Sequence, residues 1–227
     1  MCYVNGTSIG SCIQKQRLIV FVDLDGTIVD TSINNTYDFI KFYFRSQKKY
    51  FKLLLYKILF KIFPIISVVI NLTHLNKIIS IDGIFTTLLF IGCKVHSLEE
   101  FAINWINFLN QKSLFNEEVL ELINYFKRNG AKVYLLTACT ELPAKLLGEH
   151  LRFDGILSRR FIIKKGIILG VRDLESISQL KLKYIRKIKG IVLEKSFIIY
   201  IVDEVSASLE LRKLSNLIDI VIIIGGN

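Results

Sequence analysis

The stretch that decides the fold runs from Leu18 to Asp30 and reads LIVFVDLDGTIVD. Its first five residues are apolar and end at Asp23, which is typical of a strand buried on both faces of a parallel sheet. Asp25 and Gly26 then predict a turn, because glycine accepts backbone conformations that other residues avoid. We therefore expect a buried strand that ends in an acidic loop.

Three more apolar runs predict strands, and a segment with helical periodicity precedes each of them; they are Val133–Leu136, Phe197–Val202 and Ile218–Ile224. The helix before the first of these has clear ends, since Asn116 is a plausible N-cap and Asn129-Gly130 a stop signal. Alternation of strands and helices implies βαβ units, so the predicted fold class is α/β with a parallel sheet.

The segment from Thr36 to Asn110 lacks this alternation and shows long helical patterns, which predicts a helical insert. Later in the chain, Arg160–Ile163 and Ile167–Val171 flank Lys164-Lys165-Gly166, which predicts a hairpin. The expected organisation is an α/β core of residues 1–35 and 111–227 and a helical cap of residues 36–110.

The composition describes a globular protein with a positive charge. Of its 227 residues, 52% are hydrophobic and only two are proline, which excludes disordered and collagen-like chains. The net charge of +10 favours anionic partners such as phosphate esters, nucleic acid or an acidic membrane. No RNP, KH or zinc-finger pattern accompanies the charge, so nucleic acid is not an expected partner.

Cysteine spacing and hydropathy define the expected compartment. The four cysteines, Cys2, Cys12, Cys93 and Cys139, form no CxxC pair and have no zinc-ligand spacing with His74, His96 or His150. The charge-free stretch Ile62–Leu75 is shorter than the roughly 20 apolar residues of a membrane-spanning helix. We expect a cytoplasmic protein without a transmembrane helix.

The acidic loop itself carries the strongest chemical signal. Asp23 and Asp25 stand two residues apart at the end of the predicted strand. One carboxylate can attack an electrophile while the other exchanges a proton with the leaving group. An acidic turn without catalytic function, such as a calcium loop, has the same local pattern.

Asp23, Asp25, Gly26 and Thr27 resemble the first motif of the haloacid dehalogenase superfamily of aspartate-nucleophile phosphohydrolases, a strand followed by DxDGT or DxDST. The resemblance implies a doubly wound parallel sheet with its ligand crevice at the carboxyl ends of the strands. It also implies that Asp23 is the nucleophile, that Asp25 is the general acid and base, and that Gly26 and Thr27 contact the phosphate.

The second and third motifs of that superfamily also have counterparts. Thr137 ends the apolar run that starts at Lys132, where a hydroxyl can donate a hydrogen bond to a phosphoryl oxygen. The basic residue of the third motif is assigned to Lys181 and not to Lys183 or Lys187. Lys181 begins an inward face, because Tyr184, Ile185 and Ile188 follow it at i+3, i+4 and i+7.

The fourth motif is an acidic cluster after another buried strand, and Asp203 and Glu204 supply it. The resemblance implies Mg²⁺ held by Asp23, the backbone carbonyl of Asp25 and Asp203. Relatives usually carry a second Asp four residues after the first, where this chain has Ala207. Glu204 is the candidate replacement, as a direct ligand or through water.

The helical insert is similar to the cap of the phosphoserine-phosphatase-like branch. Phosphoserine phosphatases carry a Glu nine residues after the first Asp, and this chain has Ser32 there, so phosphoserine is not the expected substrate. The expected function is a Mg²⁺-dependent phosphatase that acts on a small-molecule or lipid phosphate ester through an aspartyl-phosphate. A cap selects the leaving group, so the core motifs do not identify the substrate.

Two further functions stay open at the level of sequence. The missing acid at Ala207 is compatible with a binding or regulatory module that kept the fold but lost turnover. The stretch Tyr50–Phe63, YFKLLLYKILFKIF, predicts either a cap helix packed on its neighbours or an interfacial helix of a membrane-associated lipid-phosphate phosphatase. Packing is the preferred interpretation of that stretch.

A receiver domain also combines acidic strand ends with Thr and Lys, but it has no cap of this size.

Overall fold

The computed structural model describes residues 17–30, 32–72, 81–191, 196–204, 206–208 and 214–225. The strands of this part of the chain are β1 (Arg17–Val22), β2 (Lys132–Thr140), β3 (Gly155–Arg159), β4 (Phe161–Lys164), β5 (Ile167–Val171), β6 (Ser196–Asp203) and β7 (Ile220–Ile224). The helices are α1 (Tyr37–Ser46), α2 (Tyr50–Leu72), α3 (Ile81–Phe90), α4 (Val95–Gln111), α5 (Glu117–Arg128), α6 (Glu141–His150) and α7 (Ile177–Ile191).

A five-stranded parallel sheet in the order β3-β2-β1-β6-β7 forms the centre of the molecule. The chain moves outward from β1 to one edge through β2 and β3, and then crosses to the other side of β1 for β6 and β7. This order confirms the predicted doubly wound α/β fold, and it places a topological switch point beside β1. The described residues of β1 from Leu18 onward are buried on both faces, as their continuous apolar run predicted.

The register of the sheet aligns the strand ends that carry the sequence motifs. Val22 lies opposite Leu135 of β2 and opposite Ile201 of β6. Asp23 is therefore level with Leu136 on one side and Val202 on the other. Thr137 and Asp203 each come one residue further, so the three motif residues lie along one edge of the sheet.

The edge strand β3 was not predicted from the sequence. Its five residues read GILSR and its first three are only half-buried. A short strand of this kind has neither a continuous apolar run nor a strict alternation, and pairing with β2 is what makes it extended. The other strands lie where the apolar runs predicted them, with bounds that differ by up to four residues.

Helix α5 has the ends that its sequence predicted. The Asn116 side chain accepts a hydrogen bond from the backbone N–H of Val119 at 3.3 Å, as an N-cap does. At the other end, Gly130 adopts a φ of +78°, the left-handed conformation that ends many helices.

Helices α1 to α4 occupy most of the insert and pack through a dense aromatic cluster in which Trp105 contacts Phe39, Phe42 and Phe108. The predicted hairpin is confirmed as the antiparallel pair β4 and β5. Two backbone hydrogen bonds connect this hairpin to the insert. The N–H of Gly92 donates to the Ile168 carbonyl, and the N–H of Val95 donates to the Gly166 carbonyl. The insert is thus anchored to the core through this hairpin.

Within the described residues, no helix is long and apolar enough to cross a membrane. Cys93 and Cys139 are buried free thiols. Cys2, Cys12 and His74, which entered the predictions on zinc and disulfides, lie outside the described residues, as do parts of the predicted core and cap.

Candidate active site

A buried ion pair lies at the carboxyl end of β1. Asp23 directly follows the strand, and its Oδ2 lies 2.6 Å from Nζ of Lys181 in the first turns of α7. The two residues are only 4% and 1% exposed. The ammonium of Lys181 also donates to the hydroxyl oxygen of Tyr200 on β6 at 3.0 Å. Separation of the two groups would leave each charge buried without a partner, which is costly. The pair is therefore held in one geometry.

The loop after Asp23 folds back on itself. The Leu24 carbonyl accepts hydrogen bonds from the N–H groups of Ile28 and Val29, both at 3.0 Å. This tight path requires a φ of +79° at Gly26, which explains why a glycine stands there. The N–H of Gly26 donates to the Val29 carbonyl at 2.8 Å, so it serves the loop itself. A phosphate contact of Gly26 stays a prediction.

The carboxyl group of Asp25 is held by a residue that sequence reasoning missed. Asn35 donates to Asp25 Oδ1 twice, from its backbone N–H at 2.8 Å and from its side-chain amide at 2.9 Å. The side-chain amide oxygen of Asn35, Oδ1, in turn accepts from the indole N–H of Trp105 at 3.1 Å. A chain of hydrogen bonds therefore runs from the acidic loop to helix α4 of the insert.

The environment of Asp25 changes its protonation. Burial raises the pKa of Asp25 to about 6, against the lowering effect of the two Asn35 hydrogen bonds, and the nearby negative charge of Asp23 adds to the rise. A carboxyl group with a pKa close to neutrality can both give and take a proton. The two aspartates of the loop are thus placed in different environments: Asp23 lies beside the ammonium of Lys181, and Asp25 accepts hydrogen bonds from the neutral Asn35.

Thr137 and Cys139 lie at the end of β2. Thr137 is buried, and its hydroxyl oxygen accepts the backbone N–H of Cys139 at 3.0 Å, which leaves the hydroxyl proton able to donate elsewhere. Burial raises the pKa of the Cys139 thiol well above its ordinary value. A thiol that stays protonated is a poor nucleophile, so Cys139 is not a candidate for that role.

The end of β6 is tied to the acidic loop. The backbone N–H of Asp203 donates to the hydroxyl of Thr27 at 2.9 Å, and the Asp203 side chain accepts from the N–H of Ser206 at 3.0 Å. Glu204, the next residue, has an exposed side chain. Ala207 is buried among apolar side chains such as Phe21 and Val202. The position where relatives carry a second Asp is therefore part of the hydrophobic core.

The donor set at this edge of the sheet fits a hard cation. Asp23 and Asp203 supply carboxylate oxygens and the Asp25 backbone supplies a carbonyl, which are the ligand types that Mg²⁺ prefers. Among the described residues no group of three or more His, Cys, Asp or Glu side chains is arranged to hold a metal ion. Of the predicted ligands, Asp23, Asp203 and the exposed Glu204 have carboxylate side chains, and the remaining donor is the backbone carbonyl of Asp25.

The structure places the predicted site residues along one edge of the sheet and adds three that were missed. Asn35, Trp105 and Tyr200 all hydrogen-bond to a predicted residue or to its partner. Lys183, the rejected candidate of the third motif, pairs instead with Asp173 at 3.0 Å and Glu175 at 2.7 Å. No local signal marked Asn35 or Tyr200, since an Asn before a helix and a Tyr in a strand are both common.

Comparison with known proteins identifies the family of the chain. The sequence profile of the haloacid dehalogenase-like hydrolases matches residues 20–203 of the chain. Among curated proteins, no sequence matches it.

Several solved structures share the fold at low identity. A protein of unknown function from Bordetella pertussis superposes with a TM-score of 0.63 at 10% identity, over 92% of this chain and 99% of that one. A phosphoserine phosphohydrolase-like protein from Francisella tularensis superposes with a TM-score of 0.52 at 17% identity, over 90% and 94%. A probable phosphoserine phosphatase from Vibrio cholerae superposes with a TM-score of 0.55 at 12% identity, over 92% of this chain and 56% of that one. At these identities the likeness concerns the fold alone.

Proposed function

Since the chain belongs to the haloacid dehalogenase-like hydrolase family, we propose that it is a Mg²⁺-dependent phosphatase that cleaves phosphate monoesters through an aspartyl-phosphate. The observation that carries this proposal is the buried Asp23–Lys181 pair beside an aspartate of raised pKa. This combination supplies a nucleophile, a neutralising cation and a proton donor within one loop and one helix start.

Asp23 is the proposed nucleophile. One of its carboxylate oxygens attacks the phosphorus atom, and the bond between phosphorus and the ester oxygen breaks. Lys181 neutralises charge on the carboxylate and on the incoming phosphoryl group, and Tyr200 holds the ammonium in place from the other side. Thr137, one residue further along the neighbouring strand, donates its hydroxyl proton to a phosphoryl oxygen.

Asp25 is the proposed general acid and base. Its raised pKa keeps part of the population protonated near neutral pH, so it can give a proton to the leaving alkoxide. The carboxylate that results then takes a proton from water as this water attacks phosphorus. The bond between phosphorus and Asp23 breaks, and inorganic phosphate and free Asp23 are released.

Asp23, Asp203 and the backbone carbonyl of Asp25 are the residues that would hold Mg²⁺. When bound, the ion supplies positive charge against the phosphoryl oxygens. Thr27 joins two of these positions, because its hydroxyl accepts the N–H of Asp203 from within the acidic loop. It therefore holds the loop against the end of β6.

A second candidate function is a binding or regulatory module with little or no turnover. Ala207 supports it, since a buried alanine in an apolar cluster stands where relatives have an acid. Such a module would keep binding Mg²⁺ and inorganic phosphate but release no phosphate from an ester.

The test of the proposed function is hydrolysis of p-nitrophenyl phosphate, together with a panel of phosphate monoesters of different leaving groups. Wild type is expected to release phosphate only with Mg²⁺, and Asp23→Asn to lose nearly all of this release. Full activity of Asp23→Asn would overturn the mechanism. Phosphate binding by calorimetry without release from any ester of the panel would support the binding module.

A matched control comes from an aspartate outside the site. Asp154 pairs with Lys132 at 2.7 Å and accepts the backbone N–H of Val133 at 2.8 Å near the opposite end of the sheet, so Asp154→Asn removes one charge, keeps an oxygen that can accept the N–H and leaves the acidic loop intact. Its phosphatase activity is expected to equal that of wild type. Comparison of the two Asp→Asn variants separates loss of the nucleophile from a general effect of charge removal.

A further inference from the structure

We propose that the exposed face of helix α2, with the adjoining cations of α1, docks on the surface of an anionic lipid bilayer. The first observation is an apolar ridge that no part of the described chain covers. Phe51, Leu54, Leu55, Ile58 and Ile62 follow one another at i, i+3, i+4, i+7 and i+11, and all are exposed. Phe51 alone is 79% exposed, and Leu54 56%. Residues at this spacing lie on one side of a helix.

The opposite side of the same helix supplies the packing that the sequence predicted. Tyr56 is buried, and it stacks on Phe60 with ring centroids 5.1 Å apart; Phe60 also contacts Phe85 of α3 and is 45% exposed at the edge of this side. Lys52, on that side, donates to the Ile91 carbonyl at 2.8 Å and so fastens α2 to the end of α3. The helix therefore needs only one apolar side for the fold, and its second apolar side is not explained by packing within the described chain.

Cations border the apolar ridge. A shallow groove between α1 and α2 is lined by Lys41, Arg45, Lys57 and Lys61 together with Leu54, Ile58 and Phe60. Of these cations, Lys41 has an acidic neighbour, Asp38 at 3.6 Å on its own helix. Between Phe39 and Ile81 the sequence contains eight Lys or Arg residues and no Asp or Glu. Lipid phosphates are complementary to this groove, whereas an acidic partner protein would leave the ridge without an apolar counterpart.

An apolar ridge with a cationic border is the surface that interfacial helices present to membranes. The apolar side chains enter the boundary between headgroups and acyl chains, and the lysines contact anionic headgroups. Helix α3, which packs beside α2, exposes two more apolar residues, Ile84 and Leu88, and Ile91 directly after the helix is exposed as well. This inference concerns binding only and does not depend on the proposed phosphatase activity.

The experiment is sedimentation of the full chain with vesicles of phosphatidylcholine, with and without about one third phosphatidylglycerol. Wild type is expected to bind the anionic vesicles at low ionic strength and to dissociate as salt rises, because screening weakens headgroup contacts. The Lys57→Gln/Lys61→Gln double variant is expected to bind roughly 25-fold more weakly, from the typical contribution of each cation near the surface. Phe51→Ser/Ile58→Ser should reduce binding by at least about tenfold, through loss of buried apolar area.

Matched controls use exposed residues elsewhere on the molecule. Ile103→Ser changes an isoleucine that is 59% exposed on α4, and Lys187→Gln/Lys189→Gln removes two exposed lysines of α7. Both are expected to bind vesicles like wild type. Thermal unfolding of every variant checks that the fold is kept, as substitutions at exposed positions should allow.

Three results would overturn the proposal. The first is that wild type does not bind anionic vesicles at low salt. The second is that the control variants lose as much binding as the α2 variants. The third is a dimer in solution that dissociates on Phe51→Ser/Ile58→Ser while vesicles stay unbound, which would assign the face to a second copy of the chain.

Discussion

Asn35 binds the Asp25 carboxylate at one oxygen through two donors, its backbone N–H at 2.8 Å and its side-chain amide at 2.9 Å. Asn35 is fully buried and also accepts the indole N–H of Trp105, seventy residues further along the chain. The proposed general acid is therefore held by a residue that the insert itself positions. Removal of this contact changes the chemistry of the loop without a change in any proposed catalytic side chain.

Asn35→Ala is expected to raise the pKa of Asp25 above about 6, because the side-chain hydrogen bond that favours the carboxylate is lost. The remaining hydrogen bond from the Asn35 backbone limits the rise in the pKa of Asp25 to about one unit. If Asp25 is the general acid, kcat/KM falls as pH rises through this pKa, so the fall moves to higher pH in the variant. Carboxyl ¹³C NMR titration measures the same pKa without reliance on activity.

Two variants accompany this measurement. Trp105→Phe removes the donor that orients the Asn35 amide and also part of a buried ring of the aromatic cluster, so a smaller pKa shift in the same direction is expected, with thermal unfolding as a check on the fold. Asn129→Ala changes an exposed Asn whose amide bonds the Tyr125 carbonyl, and it should leave the pH profile unchanged. An Asp25 pKa that does not move in Asn35→Ala would show that Asn35 has no part in setting it.

Asp25→Asn is expected to stabilise the protein at neutral pH. A carboxyl group whose pKa is raised on folding binds more protons in the folded state, so stability falls as pH rises from about 4 to about 6 and stays lower above that range. The neutral amide removes this cost, which amounts to about 1 to 3 kcal/mol once partial access of water is allowed for. Urea unfolding at pH 4 and pH 8 tests it, and an equal effect at both values would contradict it.

Asp23 and Lys181 are expected to be strongly coupled in stability. Lys181→Met leaves a buried carboxylate without its ammonium and should cost about 3 to 5 kcal/mol. The Asp23→Asn/Lys181→Met double variant removes both charges and should cost less than the sum of the single variants by about 1 kcal/mol or more. Unfolding free energies of the four proteins give the coupling, and additive values would argue against a folded-state ion pair.

Tyr200→Phe isolates the third member of that cluster. The ring and its packing stay, and only the hydroxyl that accepts from Lys181 at 3.0 Å is removed. The expected cost in unfolding free energy is about 1 kcal/mol, the usual value for one hydrogen bond. In the Lys181→Met background this cost should shrink, because the donor is already absent. An unchanged cost there would show that Tyr200 acts independently of Lys181.

Mg²⁺ is expected to stabilise the wild-type protein. A ligand present at 100 times its dissociation constant adds about 2.7 kcal/mol to the unfolding free energy, and EDTA should reverse the effect. Asp203→Asn is expected to lose this stabilisation, since it removes a proposed ligand. Glu204→Gln should retain it because that side chain is exposed. Thermal unfolding of each variant with and without Mg²⁺ measures the stabilisation. An equal loss of stabilisation in both variants would show that Glu204 compensates for Ala207.

Strand and helix positions were predictable where a pattern is local. The buried runs of β1, β2 and β6 and the caps of α5 depend on residues close together in sequence, and those elements were found. Strand β3 was missed because its extended conformation comes from pairing with β2 and not from its own residues. Helix α2 shows the same limit, since its sequence is apolar on both sides and does not tell which side packs.

The sequence by itself determined where the acidic loop, Thr137 and Asp203 would come to lie, because the carboxyl ends of parallel strands meet at one edge of a sheet. Lys181 lies on a helix, and its helical face predicted only that it points inward. Only the tertiary structure decided which residues surround them. Asn35 reaches Trp105 across seventy residues, and Lys181 reaches Tyr200 from another element, so no local pattern encodes either contact. The pKa of Asp25 likewise depends on burial and on neighbouring charges, which exist only after the core and the insert have packed together.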